Sequence, residues 1–448
     1  MTATALGAAI TGRGTDRARS RWIDDWRPED DTFWSGHGER IARRNLTFSV
    51  LSEHIGFSVW TMWSVLVLFL GPAYGFTPAD KFLLTAVPAL VGAALRLPYT
   101  FAVATFGGRN WTVVTALALL VPLALMLVVL EPGVSLSTLL LVAAVAGVGG
   151  GNFASSMANI NAFYPERKKG WALGLNAGAG NLGVPVVQLV GLAVLATAGS
   201  AHPRLLPALY LPLVVVAATM AWRRMDNLTA MRNDERALRD VARDPHTWVV
   251  SLLYIGTFGS FIGFGFAFGQ VLQVQFADRF PTPLDAAYLT FLGPLLGSLV
   301  RPYGGHLADR FGGARITLTT FAAMALASGL VLLASSAQSL PLFVVGFTLL
   351  FVLSGVGNGS TYKMIPAIFR AKARGDDAQA RRLSGALIGI AGAVGAFGGV
   401  LVNVAFRESF LRTGTGTAAY ASFLAFYGVC MAVTWAVYLR PSRRLAGV

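Results

Sequence analysis

Apolar residues run in long blocks separated by short polar stretches, and roughly 20 apolar residues are what one helix needs to cross a bilayer core. That template fits residues 47–70, 82–104, 111–130, 139–163, 171–196, 205–222, 247–274, 286–306, 317–335, 340–367, 384–406 and 417–439. Twelve transmembrane helices are predicted. A transmembrane barrel would show short alternating segments instead, and the 50 Gly and 20 Pro spread through these blocks suit polytopic helices, which tolerate both residues.

The polar stretches alternate in charge. One set holds Arg109, then Arg167, Lys168 and Lys169, then Arg310 and Arg315, then Arg370, Lys372, Arg374, Arg381 and Arg382; the other, near Tyr74, Glu131, His202, Asp278, Gln338 and Glu408, is poor in basic residues. The basic set is expected in the cytoplasm, which puts both termini of an even-numbered bundle inside a cytoplasmic (inner) membrane. Residues 1–44 hold no apolar core of a secretory signal and are expected to form a cytoplasmic tail with a helix on the membrane surface. The predicted organisation is a tail (1–44), a six-helix bundle (45–222), a cytoplasmic linker (223–246), a second six-helix bundle (247–439) and a short tail (440–448).

The two halves repeat. RLPYTFAVATFGGRNW from Arg96 matches RPYGGHLADRFGGARIT from Arg301 at an offset of 205, AGVGGGN (146–152) matches SGVGNGS (354–360) at 208, and Gly174, Gly180 and Gly183 match Gly389, Gly395 and Gly398 at 215. A duplicated six-span unit is the signature of the major facilitator fold, with its substrate site near the midplane between the halves. The segment from Gly305 to Arg315, with Asp309 and Arg310, resembles that superfamily's loop motif. Only Gly107, Gly108 and Arg109 survive in the first half, so the matching loop lock is expected to be weaker there.

Composition agrees: 54% of residues are hydrophobic and 13% charged, against about 25% charged in a soluble domain. The net charge of +14 lies in the short loops, which argues against nucleic acid as a partner. Cys430 is alone, and His37, His54, His202, His246 and His306 lack paired metal-ligand spacing. GAGNLG (178–183) matches a dinucleotide fingerprint, but it lies inside an apolar block with no strand before it. Gly147, Gly149, Gly151, Gly178, Gly180 and Gly183, with Gly355, Gly357 and Gly359 in the second half, read instead as places where helix backbones cross closely. No catalytic triad or phosphate loop occurs; an enzyme is not expected, and neither cofactor nor metal is implied. The two-half repeat argues against a channel, and the lack of a soluble output domain against a sensor.

Arg96 and Arg301 sit at matching depths within apolar blocks. A central Arg costs roughly 2.5–3.5 kcal/mol on insertion scales, and Glu53 is the one clear intramembrane carboxylate available to two arginines. An anion between them accounts for both. Arginine, whose fork donates two parallel N–H bonds, further favours a planar oxyanion.

GGGNFASSMANINAFYPERKKGWALGLNAGAGNLG (149–183) and SGVGNGSTYKMIPAIF (354–369) resemble the paired signatures of the nitrate/nitrite porters of the major facilitator superfamily, and the resemblance runs from about Trp22 to the last span. It implies an all-α membrane protein in which Arg96 and Arg301 hold nitrate or nitrite with aromatic rings above and below the anion; a monomer is expected. By motif position the rings are Phe153, Tyr254 and Phe258, with Asn181 completing the polar contacts; Phe153 and Phe258 read equally as core residues.

Glu53 and His54 lie about 12 Å into the first helix and both can carry protons. Glu53 reads either as a structural partner of Lys363 or another base, or as a proton carrier. Importing an anion against a negative interior costs about 2.3 kcal/mol per 100 mV, so coupling is required: either protons accompany nitrate, with at least two needed to move net positive charge inward, or nitrite leaves in exchange and the step is electroneutral. Family members with an acid in the first span resemble the proton-coupled kind, so nitrate/proton symport is expected; nitrate/nitrite antiport and nitrite export are the alternatives. Lys363 reads as a cytoplasmic-side gate or as a side chain reaching for headgroups. Protons, the anion and membrane lipids are the expected partners.

Overall fold

The computed structural model describes residues 21–373 and 375–440. Among the described residues twelve helices are long and apolar enough to cross a membrane: α1 (Asp31–Phe69), α2 (Pro78–Phe106), α3 (Gly108–Val129), α4 (Leu136–Phe163), α5 (Glu166–Ala198), α6 (Leu205–Arg224), α7 (Pro245–Gln275), α8 (Pro283–Phe311), α9 (Gly313–Ser336), α10 (Leu340–Ala373), α11 (Asp377–Thr413) and α12 (Thr417–Leu439). A linker helix (Glu235–Ala242) joins α6 to α7. An even number of crossings puts both described ends on one face, here called the terminal face.

Several helices outrun the predicted spans because their polar first turns are capped. The Asp30 carboxylate accepts from the Thr32 and Phe33 amides at 3.0 and 3.1 Å, and Asp376 accepts from the Gln379 amide at 2.9 Å. The helix begins at 31 where the apolar count began at 47, and at 377 where it began at 384. The tail expectation is thereby corrected. Residues 31–44 continue into α1 rather than forming a separate surface helix, and Trp22–Ile23 pairs in parallel with Asn227–Leu228 at the start of the linker. Asp226 fastens this junction, accepting from Arg44 at 2.5 Å and Asn45 at 2.9 Å. Residues 1–20, part of the same expectation, lie outside the described residues.

The halves share their punctuation. Thr77 and Asp80 cap α2 reciprocally, as Thr282 and Asp285 cap α8, each with Pro in the first turn. Both helices end at a glycine with positive φ, Gly107 at +87° and Gly312 at +94°, a conformation that favours glycine. Because the caps share the 205-residue offset of the two arginines, Arg96 and Arg301 occupy equivalent turns.

Away from the terminal face the halves are sealed together. Phe82 of α2 stacks on Phe406 and Phe410 of α11 at 5.5 and 5.4 Å, Thr85 donates to Asn403 at 2.8 Å, and Gln188 and Gln270 donate to the Gly265 and Pro78 carbonyls, both at 2.9 Å. On the terminal face the halves meet through Arg381 and Glu166 at 4.0 Å, and through Asn233 of the linker, which donates to the Phe101 carbonyl at 3.0 Å.

Candidate functional site

Arg96 is fully buried and Arg301 is 7% exposed. Arg96 Nε donates to the Gly150 carbonyl of α4 at 3.2 Å and Nη1 to the Gly392 carbonyl of α11 at 2.9 Å, so this one side chain ties the halves together. Arg301 Nη2 donates to the Tyr254 hydroxyl at 3.1 Å. Arg96 Nη2 and Arg301 Nη1 are buried with no acceptor among the described residues. A buried donor left unpaired costs about 1–3 kcal/mol, more when charged, so the centre holds two unmet charged donors.

Aromatic rings bound the guanidiniums. Phe153 of α4 and Phe258 of α7 stack on each other across the halves at 5.9 Å and 27°. The Arg96 guanidinium lies 4.7 and 4.8 Å from their centroids, and that of Arg301 is 5.9 Å from each. Phe258 follows Tyr254 through a π-helical turn at Ile255–Gly259, a device frequent at functional sites, and the two rings stack at 5.2 Å and 7°. A planar ion between two rings needs about 7 Å, twice a carbon contact distance. The 5.9 Å between centroids is an upper limit on the gap between Phe153 and Phe258, so to admit such an ion the two rings, one from each half, would have to part by at least about 1 Å.

Glycines bring the site's helices together. A Cβ at Gly150 would stand 2.6 Å from the Gly92 Cα, one at Gly149 3.2 Å from Trp60, and one at Gly151 2.5 Å from the Tyr99 ring. Gly147 abuts Val91, Gly183 the α1 backbone at Ser58, Gly355 the Gly297 backbone, Gly357 Thr257, and Gly359 the Arg301 carbonyl. Gly180 faces the Glu53 carboxyl. Gly178 departs from the expectation: a Cβ there meets nothing within 4 Å, so no close crossing requires it.

Glu53 is buried and forms no ion pair among the described residues. Its Oε2 accepts from the Ser156 hydroxyl and from Asn176 Nδ2, the latter at 2.7 Å, while Oε1 has no partner. The pairing with Lys363 is corrected: Lys363 instead binds Asp309 of the loop motif at 2.8 Å, both side chains being about half exposed. Arg310 lies 5.1 Å from the neighbouring Phe311 ring. The first-half loop is held by other means, Arg109 donating to the Trp222 carbonyl at 2.8 Å and the Asn110 amide to Asn227 at 3.3 Å. The His54 ring lies 3.2 Å from the Ala179 carbonyl. Asn181 is fully buried, its amide bonded to nothing, and no hydrogen bond joins it to the arginines.

Sequence reasoning missed four neighbours: Trp60, 5.7 Å from Arg96; Tyr362, 5.7 Å from Arg301 with its hydroxyl unpaired; and Ser156 and Asn176, which hold Glu53. Tyr362 adjoins Lys363 in the STYKMIP segment, but nothing in a continuous apolar run tells which ring turns inward.

A family profile described as Major Facilitator Superfamily matches residues 54–403. The nitrate/nitrite transporter NarU of Salmonella typhimurium is 40% identical over 449 aligned positions, covering 93% of this chain and 96% of its own. The probable nitrate/nitrite antiporter NarK2 of Thermus thermophilus is 35% identical, covering 94% and 98%. Among solved structures, a D-xylose–proton symporter has a TM-score of 0.65 at 14% identity, covering 88% of this chain and 97% of that one, a likeness of fold alone. A duplicated twelve-helix bundle and full-length relatives of this kind place the chain in the nitrate/nitrite transporter family of the Major Facilitator Superfamily, whose members are transporters and not enzymes.

Proposed function

We propose that the protein carries nitrate, and nitrite with it, across the cytoplasmic membrane by alternating access, with the anion clasped between Arg96 and Arg301. The observation that carries this reading is the pair of buried guanidinium nitrogens without acceptors, one from each half, beside the same two aromatic rings. An oxyanion accepts from both. Its entry between Phe153 and Phe258 couples binding to movement of the halves, and the nitrate/nitrite specificity in the relatives' names supports the same anion.

Coupling follows from charge. With Glu53 ionised, Arg96, Arg301 and Glu53 sum to +1; with Glu53 protonated they sum to +2. Proton and anion then favour each other's binding, and such coupling is reciprocal. That linkage supports nitrate/proton symport. Exchange for nitrite is the second reading, favoured by the name of the Thermus relative. In proteoliposomes, nitrate entry driven by an inward proton gradient without internal nitrite supports symport; entry that needs internal nitrite and ignores the gradient overturns it for exchange; entry with neither overturns both.

A further inference from the structure

A cleft of about 650 Å³ opens on the terminal face between the linker helix and the start of α11, lined by Asp234, Arg236, Arg239, Asp240, Arg243 and Arg382. Four positive and two negative side chains leave it at +2. Arg382 takes both acids, donating to Asp234 from two nitrogens and standing 3.8 Å from Asp240. The hydrogen bond from Arg382 holds the Asp234 carboxyl down at about 2, so it remains an anion matched to that arginine. Arg236, Arg239 and Arg243 take part in none of the ion pairs of the described residues. Spaced three and four apart, they share one face of the linker helix and its end, while Ala237 and Val241 are buried on the other.

The depth of the cleft is marked by tryptophan. Trp248 is 55% exposed and donates from its indole to the carbonyl of Ala242, the last residue of the linker helix, at 2.9 Å. Trp222 and Trp435, near the same ends of α6 and α12, are also more than half exposed. Exposed tryptophans at helix ends mark the headgroup level of a bilayer, and arginine forks match phosphate oxygens.

We infer that this cleft is a binding site for a phosphate group, that of an anionic phospholipid whose headgroup lies against Arg236, Arg239 and Arg243. Free phosphate offers the same oxygens, but only a lipid also brings an apolar chain to the exposed indole of Trp248. Basic clefts at this level hold anionic headgroups in other membrane proteins. The site is independent of the anion reading at the centre.

The test is native mass spectrometry of the purified full chain titrated with phosphatidylglycerol, with phosphatidylcholine as the neutral lipid and inorganic phosphate as the free anion. Wild type should hold one tight phosphatidylglycerol that the R236Q/R239Q/R243Q variant binds about 100-fold more weakly, given the contribution of each basic side chain near a headgroup. A K168Q/K169Q variant, which removes basic residues already paired with Glu39 and Glu166, should keep it, and phosphatidylcholine should not distinguish the proteins. A helical circular-dichroism spectrum and a melting temperature equal to wild type establish that the triple variant is folded. Equal phosphatidylglycerol binding in wild type and the triple variant overturns the inference; so does full displacement of the lipid by equimolar inorganic phosphate, which would assign the cleft to the free anion.

Discussion

Replacing Glu53 by glutamine separates the carboxyl's charge from its shape. The glutamine carbonyl can accept from Ser156 and Asn176 as Oε2 does, and its amide nitrogen takes the place of the unpartnered Oε1. If Glu53 is ionised in the resting protein, two charge-assisted bonds become neutral ones, a loss of about 2–3 kcal/mol, offset by no longer burying a charge; the fold should survive. The centre is then held at every pH at the charge it has with Glu53 protonated, one unit above the ionised state. Through an effective dielectric of about 20, a unit charge a side chain away is worth on the order of 2 kcal/mol, or roughly 30-fold in Kd. Glu53→Gln should therefore bind nitrate more tightly than wild type at any pH where wild-type Glu53 is ionised, with a Kd that no longer varies with the protonation of this residue. Counterflow of labelled nitrate in proteoliposomes should persist, and uphill accumulation driven by a pH gradient should be lost. Gradient-driven accumulation persisting in Glu53→Gln would refute the reasoning and make His54 the residue to examine.

Gly359→Ala puts a methyl group 2.5 Å from the Gly305 amide nitrogen and against the Arg301 carbonyl, backbone that can yield only by moving α8 from α10. It should cost about 1–3 kcal/mol and weaken nitrate binding, whereas Gly178→Ala, with open space around it, should leave the melting temperature and Kd unchanged. Asp234, held at about 2 by Arg382, is depressed relative to the unfolded chain, so its ion pair adds stability above the unfolded carboxylate range and loses it as pH falls toward 2. Asp234→Asn should accordingly melt below wild type by a constant margin from pH 5 to 8, the gap closing only under acid; a gap that changes between pH 5 and 8 would contradict the assignment.

The parts legible in the sequence were those that a membrane makes conspicuous. Arg96 and Arg301 stand out because an uncompensated charge in an apolar block needs a reason, and their common offset identified the duplication. The matching caps at 77–80 and 282–285 are equally readable as T-P-x-D. Helix ends were not legible from hydropathy, because residues 31–46 and 377–383 are polar yet helical. The tail's pairing with Asn227–Leu228 joins two-residue strands some 205 positions apart, with no local signal. Trp60 and Tyr362 went unseen because in helices apolar on every side, the ring that meets a guanidinium is decided by helix rotation. Ser156 and Asn176 come to Glu53 from two other helices, and only packing reveals that convergence.

The central claim is that one anion is held by two arginines from opposite halves. A double-mutant cycle on nitrate Kd, measured by calorimetry on wild type, Arg96→Lys, Arg301→Lys and the double variant, tests it most directly. Lysine keeps the charge and loses the fork, so each single change should remove one charge-assisted bond, worth about 1.5–3 kcal/mol, and weaken binding roughly 10- to 150-fold. Because both forks grip the same ion, the double variant should lose less than the sum of the singles, by on the order of 1 kcal/mol. Wild-type affinity in either single variant, or losses that add within about 0.5 kcal/mol, would contradict a shared anion between Arg96 and Arg301.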